Sequence, residues 1–399
     1  MTGVQRRTFL AGLGAALAGG MGGSAGLAAC SGAAGGLAGS AGLAACSGAA
    51  TAGGGFAGFS SFASQPKDLG VAFVRGMNLA HLHTRGWGYG SERSKVQAAR
   101  LYDLGVRNVA LNPFAYTRSL SRPEIEWGGD STMTDDDLRA EVANLRGRGM
   151  DVTMKPHLWA WSFVAGKGNG DIALDPAGWT EWFRKYTQFA VHYATLAAQT
   201  GCSHYCVGLE YTSATRNNPG AWAKVADQCR KVFGGTLLYA ANWYEEYEIF
   251  SDWDAFDLVG VNAYFPLVGN SVEELVGSWQ PHLDRIEKIA RGKPVVFPEA
   301  GYRAVTAGTE RPWDPGNSPL DLDVQERGYE ALFRACSARA WFGGIWWWKW
   351  FTDLPGEGDL YVPAEMPAEA VLSGWFRAGV GAAGAASGAV NPVGPGATP

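Results

Sequence analysis

Two apolar, strand-like runs of the chain stop on a glutamate. The run VVFPEAGY at residues 295–302 contains Glu299, and the run CVGLEYTS at residues 206–213 contains Glu210. A carboxyl group in such a place belongs either to a salt bridge or turn, or to a site. Two carboxyl groups that face each other suit a reaction in which one donates a proton to a leaving group while the other attacks. The elements that carry the two runs decide between these interpretations.

Short β-like runs alternate with helical segments between about residue 70 and residue 377, which indicates parallel strands joined by crossover helices. The eight runs cover residues 73–80, 106–112, 150–157, 203–210, 236–243, 257–264, 293–299 and 343–350. The helical segments cover residues 91–105, 134–149, 176–199, 272–292 and 323–339, with Thr134 as an N-cap and an interruption at Pro281. This α/β pattern predicts a single (β/α)8 TIM barrel, whose usual size is about 250 residues. An open doubly wound sheet is the alternative, but its glycine-rich phosphate loop does not occur in the sequence.

In a barrel of this kind the active site lies at the carboxyl ends of the strands. Polar or aromatic residues end every predicted strand: Asn78, Asn112, Lys155 with His157, Glu210, Asn242 with Trp243, Asn262 with Tyr264, Glu299, and Trp348 with Trp350. Such a ring is hard to ascribe to packing, because buried polar groups need partners. Glu210 and Glu299 end the fourth and seventh strands and would face each other across the barrel mouth. Cleavage of a glycosidic bond needs a carboxyl pair placed in this way.

The other residues of the rim are predicted to bind a sugar, although each has a structural alternative. Tyr264 would hydrogen-bond Glu299 and hold it ionised, or would be a wall aromatic. Trp348 would stack under a sugar ring, or would pack in the barrel beside Trp346 and Trp350, which share its strand face by their even spacing. The predicted substrate-binding residues are Lys155, His157, Asn242, Trp243, Asn262, Tyr264, Trp313 and Trp348.

Several stretches, taken in order, resemble glycoside hydrolase family 113, the β-mannanase family. They include RGMNLAH near residue 75, MKPHLW, CVGLEY, LYAANWYEE, DLVGVNAYFPL, GKPVVFPEAGYR, RPWD and GGIWWWKW, and they span residues 73–351. The resemblance implies a retaining hydrolase of clan A, with Glu210 as the acid/base, Glu299 as the nucleophile, a mannan or glucomannan as substrate and no cofactor. Leu209 stands where the wider clan often has an asparagine that contacts the sugar 2-hydroxyl, and Asn242 is the predicted replacement.

The acid/base role sets a physical requirement on Glu210. Its carboxyl must stay protonated near neutral pH, so its pKa must be raised. Apolar neighbours and the charge of an ionised Glu299 would both raise it. Retention also requires the two carboxyl groups to lie about 5–5.5 Å apart.

Three other functions stay open on the sequence alone. The same pair would serve a retaining β-glucanase or another β-hexosidase. A non-catalytic sugar-binding lipoprotein would have no use for an intact pair. A metal-dependent deacetylase or lyase would need a His/Asp cluster at the strand ends, and only His157 is well placed for one.

The N-terminal part of the chain reads as targeting sequence and tether. Arg6 and Arg7 before an Ala/Gly/Leu-rich stretch predict a twin-arginine export signal. The repeat GSAGLAACSGAA occurs at residues 23–34 and 39–50, and each copy resembles a lipobox that would anchor the protein through Cys30 or Cys46. A Gly/Ala linker with incidental cysteines is the alternative. The predicted segments are a signal at 1–30, a linker at 31–68, a catalytic domain at 69–377 and a disordered tail at 378–399.

Composition excludes one class of partner. The net charge of −5 and the pI near 5.8 give no basic footprint for nucleic acid. The cysteines at 202, 206, 229 and 336 would be disulfides or buried thiols, and their spacing lacks the second cluster of a zinc site. The prediction is therefore an exported, monomeric protein of the periplasm, cell surface or exterior, with no metal and a β-linked polysaccharide as its partner.

Overall fold

The computed structural model describes residues 72–129, 133–160, 167–314, 316–354 and 359–384. The predicted signal, the linker and both cysteines that resemble lipidation sites lie outside these residues. Within the described part of the chain, no helix has the length and apolarity needed to cross a membrane.

Eight parallel strands close into a barrel, which confirms the central part of the predicted fold. The strands of the chain are β1 (Val74–Ala80), β2 (Asn108–Leu111), β3 (Phe114–Thr117), β4 (Asp151–Met154), β5 (His157–Ala160), β6 (His204–Leu209), β7 (Thr236–Asn242), β8 (Leu258–Asn262), β9 (Val295–Ala300) and β10 (Phe342–Phe351). The order around the barrel is β1, β10, β9, β8, β7, β6, β4 and β2, and β2 pairs again with β1. Each of the eight predicted runs coincides with one strand of the barrel. The carboxyl ends of all eight strands therefore meet at one mouth.

The remaining strands, β3 and β5, form a separate parallel pair beyond the mouth. They continue the course of β2 and β4 after a break at Pro113 and at Pro156. Proline has no N–H to donate, so it interrupts each ladder at this point. The His157 N–H then donates to the Pro113 carbonyl at 2.8 Å and restarts the pairing. This extension was not predicted: the second predicted run ends before Pro113, and the third passes through Pro156 to His157 as one strand.

Helices surround the barrel: α1 (Glu92–Asp103), α2 (Asp135–Gly147), α3 (Pro176–Thr200), α4 (Thr212–Asn217), α5 (Ala221–Arg230), α6 (Glu246–Ile249), α7 (Val272–Ala290), α8 (Leu322–Ser337) and α9 (Pro367–Gly384). Thr134 caps α2 in a complete capping box with Asp137, as predicted. The last helix ends at Gly384, inside the segment 378–399 that the sequence predicts to be a disordered tail.

The predicted interruption at Pro281 is wrong, because α7 runs through it without a break. A proline inside a helix costs about 3 kcal/mol, since it removes a hydrogen bond and crowds the preceding turn. The buried face continues on both sides of the proline, from Leu275 and Trp279 to Leu283 and Ile286. Burial of this stripe offsets the cost of the proline, so the helix does not end there.

The buried apolar residues form two main clusters, one between the barrel and the helices and one inside the barrel. The inner cluster takes one or two side chains from each of seven barrel strands; Trp346 is its largest member, and small or aliphatic residues such as Ala110, Cys206 and Val296 make up the rest. It fills the barrel below the mouth, so the mouth has a solid floor. The four cysteines of the catalytic part are buried and unpaired, which settles them as thiols.

Candidate active site

Glu210 and Glu299 both end barrel strands at the mouth, and both side chains are buried. Glu299 lies in β9 and is 2% exposed, while Glu210 directly follows β6 and is 6% exposed. Glu210 adopts a left-handed backbone conformation with φ of 56°. A residue with a side chain rarely takes this conformation, and such residues cluster at functional sites.

Glu299 accepts hydrogen bonds on both carboxyl oxygens. The Lys155 ammonium donates to Oε1 at 2.5 Å, and the Tyr264 hydroxyl donates to Oε2 at 3.0 Å. The side chains of the ion pair are 1% and 3% exposed. Burial, followed by the charge of Glu299, raises the pKa of Tyr264 well above its usual value, so this hydroxyl keeps its proton and donates. Both oxygens of Glu299 therefore face hydrogen-bond donors, one of them an ammonium group.

Glu210 has the opposite surroundings. Burial first, and then the charge of Glu299, raise the pKa of Glu210 well above its usual value. These are the two causes expected from the sequence. The Asn262 amide donates to Oε1 of Glu210 at 2.9 Å, and the charge of Lys155 also acts on it; both of these oppose the rise without reversing it. The mouth therefore holds one carboxyl group that accepts from an ammonium, Glu299, and one whose raised pKa favours its protonated form, Glu210.

Trp348 lies between two buried lysines on one side of the mouth. The ammonium groups of Lys155 and Lys349 are 5.2 Å and 5.1 Å from the centre of its ring. His157 stacks on the same ring at 6.1 Å between centroids, and its Nε2 lies 3.9 Å from Oε1 of Glu299. Burial, and then the charges of the two lysines, lower the pKa of His157 well below its usual value. This imidazole is therefore neutral at pH 7.

The predicted common face of Trp346, Trp348 and Trp350 is wrong at its last member. Trp346 points into the barrel, where its indole N–H donates to Asn108, whereas the Trp350 indole donates to Gln97 of α1 on the outside. The pairing of β1 with β10 gains one residue between Trp347 and Trp350, which inverts the alternation. The peptide between Trp348 and Lys349 is cis.

Two more aromatic residues continue the wall away from the carboxyl pair. Trp243 and Trp313 stack with their centroids 4.7 Å apart and 27° between their planes. Trp313 also belongs to a buried cluster with Tyr264, Trp348 and Tyr361. The predicted platforms are thus joined to Glu299, through Tyr264, by a contiguous cluster of aromatic side chains, of which Tyr361 was not predicted.

Besides Asn262, two asparagines of the ring have hydrogen-bond partners, and the fourth, Asn112, has none. Oδ1 of Asn242 accepts from the Tyr244 N–H at 2.7 Å, so a sugar contact through Asn242 would use its amide nitrogen. Asn78, which was not assigned a role, donates to the carbonyls of Pro298, Trp346 and Trp347 and so ties β9 to β10. Both side-chain polar atoms of Asn112 are buried without a protein partner.

A third buried carboxyl, Glu246, lies behind Glu210 and was not predicted. It begins the short helix α6 and is fully buried. In the sequence it follows Glu245 at the end of the stretch LYAANWYEE, and neither glutamate was assigned a role. The signal that could have found it is its place four residues after Asn242 at the end of β7.

Comparison with known proteins gives one family. A family model described as Glycoside Hydrolase Family 113 matches residues 77–361. The β-mannanase of that family from Alicyclobacillus acidocaldarius, solved in complex with ManMIm, is 26% identical, with 78% of this chain and 99% of that chain covered and a TM-score of 0.70. A β-1,4-mannanase of the same family, solved as a complex, is 25% identical, with 77% and 99% covered and a TM-score of 0.69. A family 5 mannosidase from Rhizomucor miehei shares the fold at 13% identity and a TM-score of 0.54, with 78% and 94% covered. No curated protein sequence matches the chain significantly.

Proposed function

Because the chain belongs to glycoside hydrolase family 113 and is a glycoside hydrolase, we propose that it is a retaining endo-β-1,4-mannanase. The observation that carries the proposal is the contrast between the two carboxyl groups. Glu299 accepts from an ammonium and a hydroxyl, while burial and the charge of Glu299 raise the pKa of Glu210. A retaining mechanism needs this pairing of an ionised nucleophile with a protonated acid.

In the first half of the reaction, Glu299 is the nucleophile and Glu210 the acid. The carboxylate of Glu299 attacks the anomeric carbon, and the bond from that carbon to the glycosidic oxygen breaks. The Glu210 carboxyl gives its proton to the departing oxygen, which leaves as the new chain end. The products of this half are a glycosyl ester on Glu299 and a carboxylate on Glu210.

In the second half, Glu210 acts as the base. It takes a proton from a water molecule whose oxygen attacks the anomeric carbon, and the ester bond to Glu299 breaks. The charge of Glu299 no longer raises the pKa of Glu210 once the ester has formed, whereas the charge of Lys155 still lowers it. The ammonium thus supports the carboxylate of Glu299 in the first half and that of Glu210 in the second.

Two observations support mannan as the substrate. The relatives in the same family with about a quarter of their residues identical are described as β-mannanases, one of them as a β-1,4-mannanase. In addition, Trp348, Trp313 and Trp243 extend an aromatic wall away from the carboxyl pair, as binding of several consecutive sugar rings requires. The amide nitrogen of Asn242 at the same rim is the proposed contact for the 2-hydroxyl.

The test is product release from a panel of polysaccharides with wild type and Glu299→Ala. Linear mannan, konjac glucomannan, galactomannan, barley β-glucan, β-1,3-glucan and xylan form the panel. The proposal predicts manno-oligosaccharides of several lengths from the wild type and none from the variant. Cleavage of glucans alone would remove mannan but keep the mechanism, and cleavage by the variant would remove the nucleophile. Glu248→Gln is the matched control, because Glu248 is an exposed carboxylate paired with Arg285 at 3.1 Å.

A further inference from the structure

The buried carboxyl of Glu246 accepts hydrogen bonds from four groups. The hydroxyls of Thr215 and Tyr239 both donate to Oε1 at 2.7 Å, and the backbone N–H of Asn242 donates to Oε2 at 2.9 Å. The Thr212 side chain contributes a further hydrogen bond. All of these partners donate, so their arrangement is built around a carboxylate and not around an amide.

The partners of Glu246 hold the backbone on both sides of the acid/base. The Tyr239 hydroxyl, which donates to Glu246, accepts from the Tyr211 N–H at 3.3 Å. Tyr211 directly follows Glu210. The Glu210 N–H donates to the carbonyl of Ala240, the residue next to Tyr239, at 3.0 Å. The backbone on both sides of Glu210 is thus hydrogen-bonded to β7. Glu246 in turn holds the Tyr239 hydroxyl that accepts from the Tyr211 N–H.

The same carboxyl is bonded to the segment that follows the acid/base. Thr215 lies in α4, which begins two residues after Glu210, and its hydroxyl accepts from the Trp222 indole N–H at 3.0 Å. One carboxyl therefore links α4, β7 and the turn into α6. Because Glu246 is fully buried behind these groups, its role in a reaction would pass through them and not through contact with substrate.

We propose that Glu246 is a positioning residue for the acid/base, which holds the peptide of Glu210 in place through the Tyr239 hydroxyl. The inference rests on the proposed function, since it assumes that Glu210 is the acid/base. Burial raises the pKa of Glu246 to about 7. Its negative charge also adds to the raised pKa of Glu210, which otherwise faces Glu299, Lys155 and the Asn262 amide.

The test compares a poor and a good leaving group in Glu246→Gln. Mannopentaose needs a proton from the acid, whereas 2,4-dinitrophenyl β-mannobioside releases a stable anion that needs none. Glutamine keeps the volume but replaces one carboxyl oxygen by an NH2 group. With its carbonyl oxygen on the Asn242 N–H, the NH2 group faces the Thr215 and Tyr239 hydroxyls, which then have no acceptor there. We expect kcat/KM on mannopentaose to fall by about 10- to 100-fold, while the initial burst of dinitrophenolate keeps its rate within about threefold.

Azide gives a readout that loss of structure alone would not produce. Hydrolysis of the glycosyl ester needs Glu210 as a base, but azide displaces the Glu299 carboxylate without one. Sodium azide should therefore accelerate turnover of the aryl substrate by Glu246→Gln and yield the β-mannosyl azide, with little effect on the wild type. The basic limb of kcat/KM should also move to lower pH, because Glu210 loses a negative neighbour and its pKa falls.

Tyr239→Phe is a second variant, for use if Glu246→Gln does not fold. It should show the same selective fall in kcat/KM on mannopentaose and the same acceleration by azide. Glu248 lies on the same helix as Glu246 and pairs with Arg285, so the Glu248→Gln variant should behave as wild type. Equal losses on both substrates without an azide effect, or no loss on either, would overturn the inference. An inactive wild type, or full activity in Glu210→Ala, would instead overturn the proposed function on which it rests.

Discussion

Replacement of Lys155 by methionine tests the role of the buried ion pair. Methionine is similar in volume, but it removes the ammonium that lies 2.5 Å from Oε1 of Glu299. Two unit charges at this distance attract each other by about 7 kcal/mol at an effective dielectric constant of about 20. Removal of one partner from a buried pair costs about 3–5 kcal/mol, because the remaining charge is left without compensation.

The protein can meet this cost in two ways, and both lower the activity. Glu299 either stays ionised in a destabilised site or takes up a proton and ceases to be a nucleophile. A loss of about 3 kcal/mol corresponds to a fall in kcat/KM of more than 100-fold at neutral pH.

The assay is kcat/KM on mannopentaose between pH 4 and pH 9, with the midpoint of thermal unfolding measured in parallel. Lys349→Met is the matched comparison, because Lys349 is equally near Trp348 but pairs with Asp359 at 2.8 Å and not with Glu299. That variant should lose stability but lose less activity than Lys155→Met, because it leaves the ion pair with Glu299 intact. The reasoning is refuted when Lys155→Met keeps its activity within about tenfold of wild type.

Three further predictions follow from other parts of the structure. Tyr264→Phe removes the 3.0 Å hydrogen bond to Glu299. Because a hydrogen bond to a charged group contributes about 1.5–3 kcal/mol, kcat/KM measured from steady-state rates should fall by at least about tenfold. The pKa of Glu246 is raised from 4.5 to about 7, so its contribution to the free energy of unfolding is present below pH 4.5 and is lost as the pH rises through 7. Urea unfolding should therefore show that the wild type loses up to about 3 kcal/mol more stability than Glu246→Gln between pH 4.5 and pH 8. Lipid attachment at Cys30 or Cys46, which we propose from the sequence, predicts that the exported protein partitions into detergent and that replacement of both cysteines by serine releases it; a wild type found only in the aqueous phase would contradict this.

The sequence predicts well those features that depend on local pattern. Barrel strands such as β6 are short apolar runs that end at a polar residue, as with Leu209 before Glu210. The capping box at Thr134 is also local, since all of its atoms lie within four residues. Alternation of strands and helices then fixes the mouth as the meeting point of the strand ends.

Features that depend on closure of the barrel could not be predicted from the sequence. Lys155 and Glu299 are 144 residues apart, and their contact follows only from the places of β4 and β9 around the mouth. The extra residue of β10 that turns Trp350 outward appears only in its pairing with β1. Pro281 was misread for a related reason: the packing that keeps α7 helical comes from residues outside that helix.

Glu246 shows the same limit at the site itself. It lies between the half-buried Glu245 and the buried Tyr247, and its hydrogen-bond partners come from α4 and β7. A glutamate with no predicted role is thus found behind the acid/base. Only the structure distinguishes it from Glu245, which pairs with Arg216 and is 35% exposed.

The central claim is that Glu299 is the nucleophile of a retaining reaction with Glu210 as its acid/base, and covalent trapping tests it most directly. A 2-deoxy-2-fluoro-β-mannosyl fluoride has a good leaving group and a slowed second step, so it should leave a stable ester on the enzyme. Peptide mass spectrometry should then find the sugar on Glu299, and Glu210→Ala should be labelled as well, since fluoride departs without a full proton transfer. A label on another residue, or rapid turnover that releases the inverted anomer with no labelled peptide, would contradict the account.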